Sequence, residues 1–351
     1  MLPWYCTRED VTDSLEIKYF PRAYPLIDRK IAGASRSVEG QLNIPRFAPT
    51  LMTVKFDWPN NSYAPAWTLE LDSNYLISLT ECLAGGNDIT SSCILRRGDD
   101  TDIPPFSRIE IDLSGSSGFS SGTTFQQAIH VTGLFGHSND EETIGELAAD
   151  LAATNGATAT ITWNTPRLGV GDILRIDNER VIVTERAWVD SGQTITGALT
   201  ASKSNVAVPV SNGAAFAAGE VIIIDVERML IIDVVGNNLS VERQAGGSVL
   251  ATHLTNTPVY ALTGVQLARG QLGTTIAAHT SGADIQRWVT PSALREFAKA
   301  QAIVDLEQDT AAWARTIGSG ATLRESSGKG LADAREQAML VYGRKYRSAA
   351  I

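Results

Sequence analysis

The sequence predicts an α+β fold: helices near both ends of the chain, a small β-module beside them, and an all-β region of duplicated short-strand modules. Three observations carry this prediction. Apolar residues recur at helical spacing near both ends, the period drops to two from Leu51 onward, and blocks of sequence recur between about residues 155 and 288. With 351 residues, 43 % hydrophobic and 19 % charged, the chain is long enough for several cores.

Thr7 followed by Arg8, Glu9 and Asp10 is a helix start, a hydroxyl cap with two acids in the first turn, and predicts a short helix to about Lys18. A longer helix begins near Tyr24. There Leu26, Ile27, Ile31, Ala34, Val38 and Leu42 form one apolar stripe, and Pro45 lies beyond its end. LMTVKFDW, AWTLELD, NYLISLTECL, SSCILRR, RIEIDL and QAIHVTGLFG then read as strands separated by turn residues. Residues 113–125, LSGSSGFSSGTTF, are too rich in Gly and Ser to bury much, and predict a flexible exposed loop. Near the other end, Leu331, Ala334, Ala338 and Val341 fall on one helical stripe, with Tyr342 and Tyr346 beside it.

The repeats carry the most information. Residues 205–228, NVAVPVSNGAAFAAGEVIIIDVER, align without a gap on residues 157–180, ATATITWNTPRLGVGDILRIDNER, at an offset of 48. Gly171 matches Gly219, Asp177 matches Asp225, and Glu179–Arg180 matches Glu227–Arg228. A second block, RQAGGSVLATH at 243–253, aligns with RGQLGTTIAAH at 269–279 at an offset of 26, so His253 and His279 are equivalent. A catalytic carboxylate pair is needed once, whereas this Asp-x-Glu-Arg recurs in two modules, so an architectural role is expected. Asp225 should end a strand at a tight turn, with Glu227 and Arg228 satisfying local polar groups or pairing across strands.

Charge and composition exclude several classes. Net charge is −10 and the pI about 5.0, the reverse of a phosphate-gripping protein, so specific DNA binding by the whole molecule is not expected. No apolar run is long enough to span a membrane and MLPWYCTRED has no apolar signal segment, which predicts a soluble protein with no membrane partner. Cys6, Cys82 and Cys93 lack metal-ligand spacing and are expected as free thiols. Against this acidic body the C-terminal segment is basic, with Arg344, Lys345 and Arg347 around Tyr346. Two readings stand: docking onto an acidic partner, or cations placed favourably at a helix end.

No stretch recommends an enzyme, a cofactor or a metal. GSGATLRESSGKG, 318–330, has Leu323 where a phosphate-binding loop needs its first Gly and Gly330 where it needs a hydroxyl, and is read as a helix connection. Only His130 and His137 among the four histidines are close in sequence, and Asp99, Asp100 and Asp102 lack calcium-loop spacing.

WYCTREDV at 4–11, YPLIDRKIAGASRSVEGQLN at 24–43 and IHVTGLFGHS at 129–138 together resemble the head-to-tail connector, or adaptor, proteins of long-tailed double-stranded DNA bacteriophages. In that family a Val-Thr-Gly-x-x-Gly strand is followed by a proline-started helix, here VTPSALREFAKAQAIVDLEQD at 289–309. The resemblance implies a helical connector core of residues 1–50 and 289–351, a β-module at 51–140, and an insertion at 141–288 holding repeat modules at about 155–200, 203–250 and 251–288. It also implies a structural virion protein. Such a protein forms a ring, commonly of twelve copies, in the neck between capsid and tail, touching the portal protein and the next neck or tail-completion protein. DNA would pass through without specific binding, and the chain would be made in the host bacterial cytoplasm. Expected interaction residues are Leu331, Val341, Arg344, Lys345, Tyr346 and Arg347. The alternative is a tail or baseplate component that binds host-surface carbohydrate through its β-repeats, although aromatic residues there are few: Trp163, Trp188, Phe216, Tyr260 and Trp288. A polysaccharide hydrolase would need a carboxylate pair outside the duplication.

Overall fold

A computed structural model describes residues 2–15, 23–59, 65–98, 102–154, 158–160, 168–313 and 321–343. The chain divides into two compact units: residues 1–32, 141–271 and 275–287 form one, and residues 33–140, 272–274 and 288–351 the other. Helix α1 (Arg8–Ser14) starts as the sequence predicts, because Thr7 Oγ1 accepts the Asp10 N–H at 3.1 Å while the Asp10 carboxylate accepts the Thr7 N–H at 2.9 Å. It is shorter than expected, and the rest of the predicted run, from residue 16 to Lys18, lies outside the described residues. Helix α2 (Tyr24–Leu42) buries Ile27, Ile31, Ala34, Val38 and Leu42 along its predicted stripe.

In the second unit the period-two stretches become β1 (Thr50–Phe56), β2 (Thr68–Glu70), β3 (Leu76–Ala84), β4 (Asn87–Asp88), β5 (Cys93–Arg96), β6 (Arg108–Ile111) and β7 (Ile129–Phe135). They form two antiparallel sheets, ordered β1-β7-β3-β4 and β2-β6-β5. Strand β7 alternates strictly, with Ile129, Val131, Gly133 and Phe135 turned inward. Close approach requires glycine within it and just after it: a Cβ at Gly133 would lie 2.3 Å from Ser78 O, and Gly136, at φ +152°, would meet Ala48 O at 2.9 Å. The Gly/Ser-rich stretch 113–125 has no regular structure, but it is not wholly free, because Phe119 packs on Trp58 with ring centroids 4.8 Å apart.

In the first unit, β8 (Glu141–Glu146), β9 (Thr158–Thr160), β10 (Ile173–Ile176), β11 (Glu179–Thr194), β12 (Ala207–Pro209), β13 (Val221–Ile224), β14 (Glu227–Val235), β15 (Asn238–Arg243), β16 (Pro258–Gln271) and β17 (Asp284–Trp288) make one ten-stranded antiparallel sheet. The two copies within it are nested. Hairpin β10–β11 continues into β16, just as hairpin β13–β14 continues into β15, but between β11 and β16 stands the whole second copy. The long strands β11 and β16 therefore serve both modules. In module 1, Leu174 faces Arg287 on β17; in module 2 the equivalent Ile222 faces Ala261, on the first half of β16. The bulges repeat as well, at Thr184 in β11 and at Ile232 in β14. The alignment slips in one place, where Val265 faces Ala159 but its counterpart Leu239 faces Val208, so β12 is displaced by one residue from the ungapped match.

The remaining helices, α3 (Ser292–Trp313) and α4 (Ala321–Tyr342), pack on each other. The helical connector core expected above is not what the chain builds. Among the described residues four helices stand against seventeen strands in three antiparallel sheets. Three apolar clusters, around Leu69 and Leu76, Leu174 and Val181, and Ile222 and Ile231, are each built from strands and their connections. The physical reason is length: the alternating segments 51–135 and 141–288 make up most of the chain, and each strand buries one face against its own sheet's core.

Candidate functional site

The duplicated polar motif resolves into two copies of one buried constellation. The turns of hairpins β10–β11 and β13–β14 begin at Asp177 (φ +49°) and Asp225 (φ +54°), a left-handed conformation that Asp tolerates. Two residues on, the Glu179 and Glu227 side chains are 0 % exposed. Glu227 accepts Arg243 Nε and Nη2 at 2.7 Å each, the N–H groups of Gln244 at 3.2 Å and Ala251 at 2.9 Å, and lies 3.1 Å from His253 Nε2. Glu179 repeats this with Arg269 at 2.8 and 2.7 Å, Gly270 at 2.8 Å, Ala277 at 3.0 Å and His279 at 2.9 Å. The far nitrogen of each imidazole meets the turn aspartate, at 2.8 Å for Asp225 and 2.7 Å for Asp177. Both guanidinium groups spend further N–H donors on backbone carbonyls, those of Thr200 and Ala251 in one module and of Ala152 and Ala277 in the other.

Burial alone would raise both glutamates. The bonds from Arg, backbone N–H and His outweigh it and hold each at about 2, well below 4.5. A carboxylate with every lone pair engaged is not available to a substrate, which supports the architectural expectation for Asp-x-Glu. Glu227 pairs across strands, as one of the two expected alternatives had it, and its partner is Arg243 of β15. The signal was present, since Arg243 and Arg269 open the second repeated block ten residues before the matched histidines.

A second grouping was missed in the sequence. A cavity of about 270 Å³ is lined by Arg8, Glu9, Thr12 and Asp13 of α1, by Tyr24, and by Glu185, Arg186, Trp188 and Arg228 from the sheet. Arg8 spans Asp28 at 2.6 Å and Glu185 at 2.8 Å and sits 4.5 Å over the Tyr24 ring. Burial pushes Glu9 up to about 7, although its carboxylate accepts the Val170 N–H at 2.7 Å. Burial lowers Arg186, whose guanidinium donates to the carbonyls of Leu168 and Leu262 while its Nε has no partner. Glu9 and Arg186 are far apart in sequence, and Arg186 aligns with Val234 in module 2, so neither spacing nor repetition marks the pair.

The expected interaction residues divide in three. On α4, Ala338 is fully buried and Leu331 half-buried, as the stripe requires. Val341 is 63 % exposed, because the packed face continues through Tyr342, four residues after Ala338, whose ring stands edge-on to Phe47 at 5.3 Å and to His137 at 4.8 Å. Met339 and Leu340 join Val341 in facing outward, at 38 and 73 % exposure. Arg344, Lys345, Tyr346 and Arg347 lie outside the described residues.

His137 is itself a packing group: burial, then the charge of Arg97, lowers it to about 4. The 318–330 stretch, expected as a connection, is helical from Ala321 onward. Asp102 bonds Arg96 at 2.6 Å, while Asp99, Asp100 and Trp163 lie outside the described residues, among which no metal-holding group of side chains occurs. Cys82 and Cys93 are free but adjacent, and a hydrogen bond between their thiols, with burial, pushes Cys82 up. No described helix is long and apolar enough to cross a membrane. Comparison with protein families, with curated proteins and with solved structures found no match.

Proposed function

We propose that the chain is a structural virion protein, a head-to-tail adaptor that joins copies of itself into a ring between portal and tail. The observation that carries this is that the apolar Met339, Leu340 and Val341 all face outward on a helix whose other side packs through Ala338 and Tyr342. Exposed apolar side chains on a packed helix are costly in a lone molecule and useful in an assembly. The basic run Arg344 to Arg347 follows it directly, suited to an acidic neighbour. The acidic body suits a conduit that DNA must traverse without being held. With two small sheets and a nested ten-stranded sheet in place of a helical core, the proposed adaptor is of mostly β construction.

The test is cryo-electron microscopy of intact particles. Density for this chain in a symmetric ring below the portal, with α4 against the next copy, is expected. Density at the distal tail tip would overturn the proposal. That outcome would favour the second reading, a tail component that binds carbohydrate, which rests on the cavity where Trp188 and Tyr24 sit among charged side chains. Saccharide binding lost in Trp188→Ala would then be the decisive measurement.

A further inference from the structure

Of the three cysteines, the fold brings two into contact. Cys82 lies on β3 of the four-stranded sheet and Cys93 opens β5 of the three-stranded one, and both side chains belong to the apolar cluster that these two sheets share. One turn fixes both residues. The Cys82 N–H donates to Thr90 Oγ1 at 2.8 Å, the Ile89 N–H donates to the Cys82 carbonyl at 2.9 Å, and the Cys93 thiol donates to the Ile89 carbonyl at 3.4 Å. The Cys82 thiol in turn donates to the Cys93 sulfur. Cys82 is fully buried, whereas Cys93 is partly exposed. From hydrogen-bond contact, only a short closing movement separates the two sulfurs from an S–S bond of about 2 Å, and the backbone on both sides is already held.

We propose that Cys82 and Cys93 form a reversible disulfide, closed by a peroxide, that staples the two sheets of the second unit across their common core. The inference stands apart from the adaptor reading. The partly exposed Cys93 meets the oxidant, and the bond from Cys82 lowers it, which favours the reactive thiolate. The Cys93 sulfur attacks one oxygen of hydrogen peroxide and the O–O bond breaks. Hydroxide departs, takes up the proton that the Cys93 thiol had released, and leaves Cys93 as a sulfenic acid. The Cys82 sulfur then attacks the Cys93 sulfur, the S–O bond breaks, and the second hydroxide leaves as water with the Cys82 proton. Two thiols and one peroxide thus give one disulfide and two waters, the sulfurs losing the two electrons that the peroxide oxygens gain. Cys82, held up by its bond to Cys93 and by burial, is the resolving partner and not the first target. Cys6 belongs to the other unit and is the control.

The test uses the full-length protein, reduced and then treated with hydrogen peroxide in small molar excess. Thiols are counted by maleimide labelling after unfolding and located by proteolysis without reductant followed by mass spectrometry. The expected result is a fall from three labelled cysteines to one, Cys6, with a Cys82–Cys93 linked peptide from within one chain and full recovery on adding dithiothreitol. Tm should rise on closing, because the cross-link restricts the unfolded chain. In Cys82→Ser the sulfenic acid has no resolving thiol, so dimedone should label Cys93 roughly tenfold more than in the parent. Three labelled cysteines after peroxide would overturn the proposal. So would a stable sulfenic or sulfinic acid on Cys93 of the parent with Cys82 still labelled, or a disulfide that joins two copies through Cys93. A linked peptide with an unchanged or lower Tm would overturn the stapling of the sheets. Should Cys82→Ser fail to fold, the parent's thiol count and linked peptide decide alone.

Discussion

Module 1 and module 2 are the same machine with different outsides. The buried constellation is copied donor for donor, from Glu179, Arg269 and His279 to Glu227, Arg243 and His253. Apart from the slip at β12, the core is copied position for position, mostly with aliphatic exchanges: Leu174 becomes Ile222, Val181 becomes Met229, and Val265 becomes Leu239. The surface is not copied, since Asn178 becomes Val226 and Thr280 becomes Leu254. The difference separates what the fold holds fixed from what it leaves free to vary. Cores tolerate aliphatic exchange when volume is kept, whereas a buried charge tolerates no loss of its partner.

The largest expected effect comes from removing that partner. Glu179→Ala or Glu227→Ala leaves a buried guanidinium unpaired, at a cost of about 3–5 kcal/mol in either module. The consequences differ, because β11 and β16 run through both modules while β14 and β15 belong only to module 2. Hydrogen exchange should show Glu179→Ala exposing amides throughout the ten-stranded sheet. In Glu227→Ala, amides around Leu174 and Val181 should stay protected. Equal loss of protection everywhere would show that the modules fold as one unit, against the nested description.

Acid should reveal the same clusters without mutation. Glu179 and Glu227 are held at about 2 against 4.5 in the unfolded chain, so the stability they contribute is complete above pH 4.5 and is lost as pH falls toward 2. The loss is about 3 kcal/mol per cluster, from about 1.4 kcal/mol for each pH unit. Glu9 has the opposite sign, since its folded value, about 7, lies above the unfolded one. Its burial therefore costs stability progressively as pH rises from 4.5 to 7. Urea denaturation at pH 5 and pH 8 should show that decline in the parent protein and a flatter profile in Glu9→Gln. An unchanged slope would place the titration elsewhere.

Much of this was legible in the sequence, and the gaps have causes. The Thr7 cap, the α2 stripe and the strands between Leu51 and Phe135 follow from local spacing, which a linear sequence displays directly. Duplication pointed to architecture for Asp-x-Glu because repetition is also linear information. Nesting was not visible, since two offsets, 48 and 26, describe matched blocks without saying that one copy stands inside the other. Cross-strand pairing of Glu227 was expected, but Arg243 as the partner was not named, because which residue faces it is set by the register of β14 on β15. The cavity beneath α1 was beyond reach, because Glu9 and Arg186 meet only through the fold. The helical core was expected from resemblance, whereas the chain's own dominant period of two pointed to sheet.

The smallest expected effect sharpens the comparison most. Asp177 and Asp225 look like equal members of the constellation, yet their side chains are 61 and 51 % exposed while the glutamates are sealed. An exposed partner is screened by water, so Asp177→Asn and Asp225→Asn should each cost under about 1 kcal/mol. Asn also accepts the left-handed turn and can still bond the imidazole. Chemical denaturation of the two variants beside Glu179→Ala and Glu227→Ala gives the ratio directly. A ratio of several-fold means that the buried Glu–Arg pair carries the module and the turn aspartate only orients the histidine. Comparable losses would mean that Asp, His, Glu and Arg act as one coupled unit in both copies, and the turn would then belong to the core of the module despite its exposure.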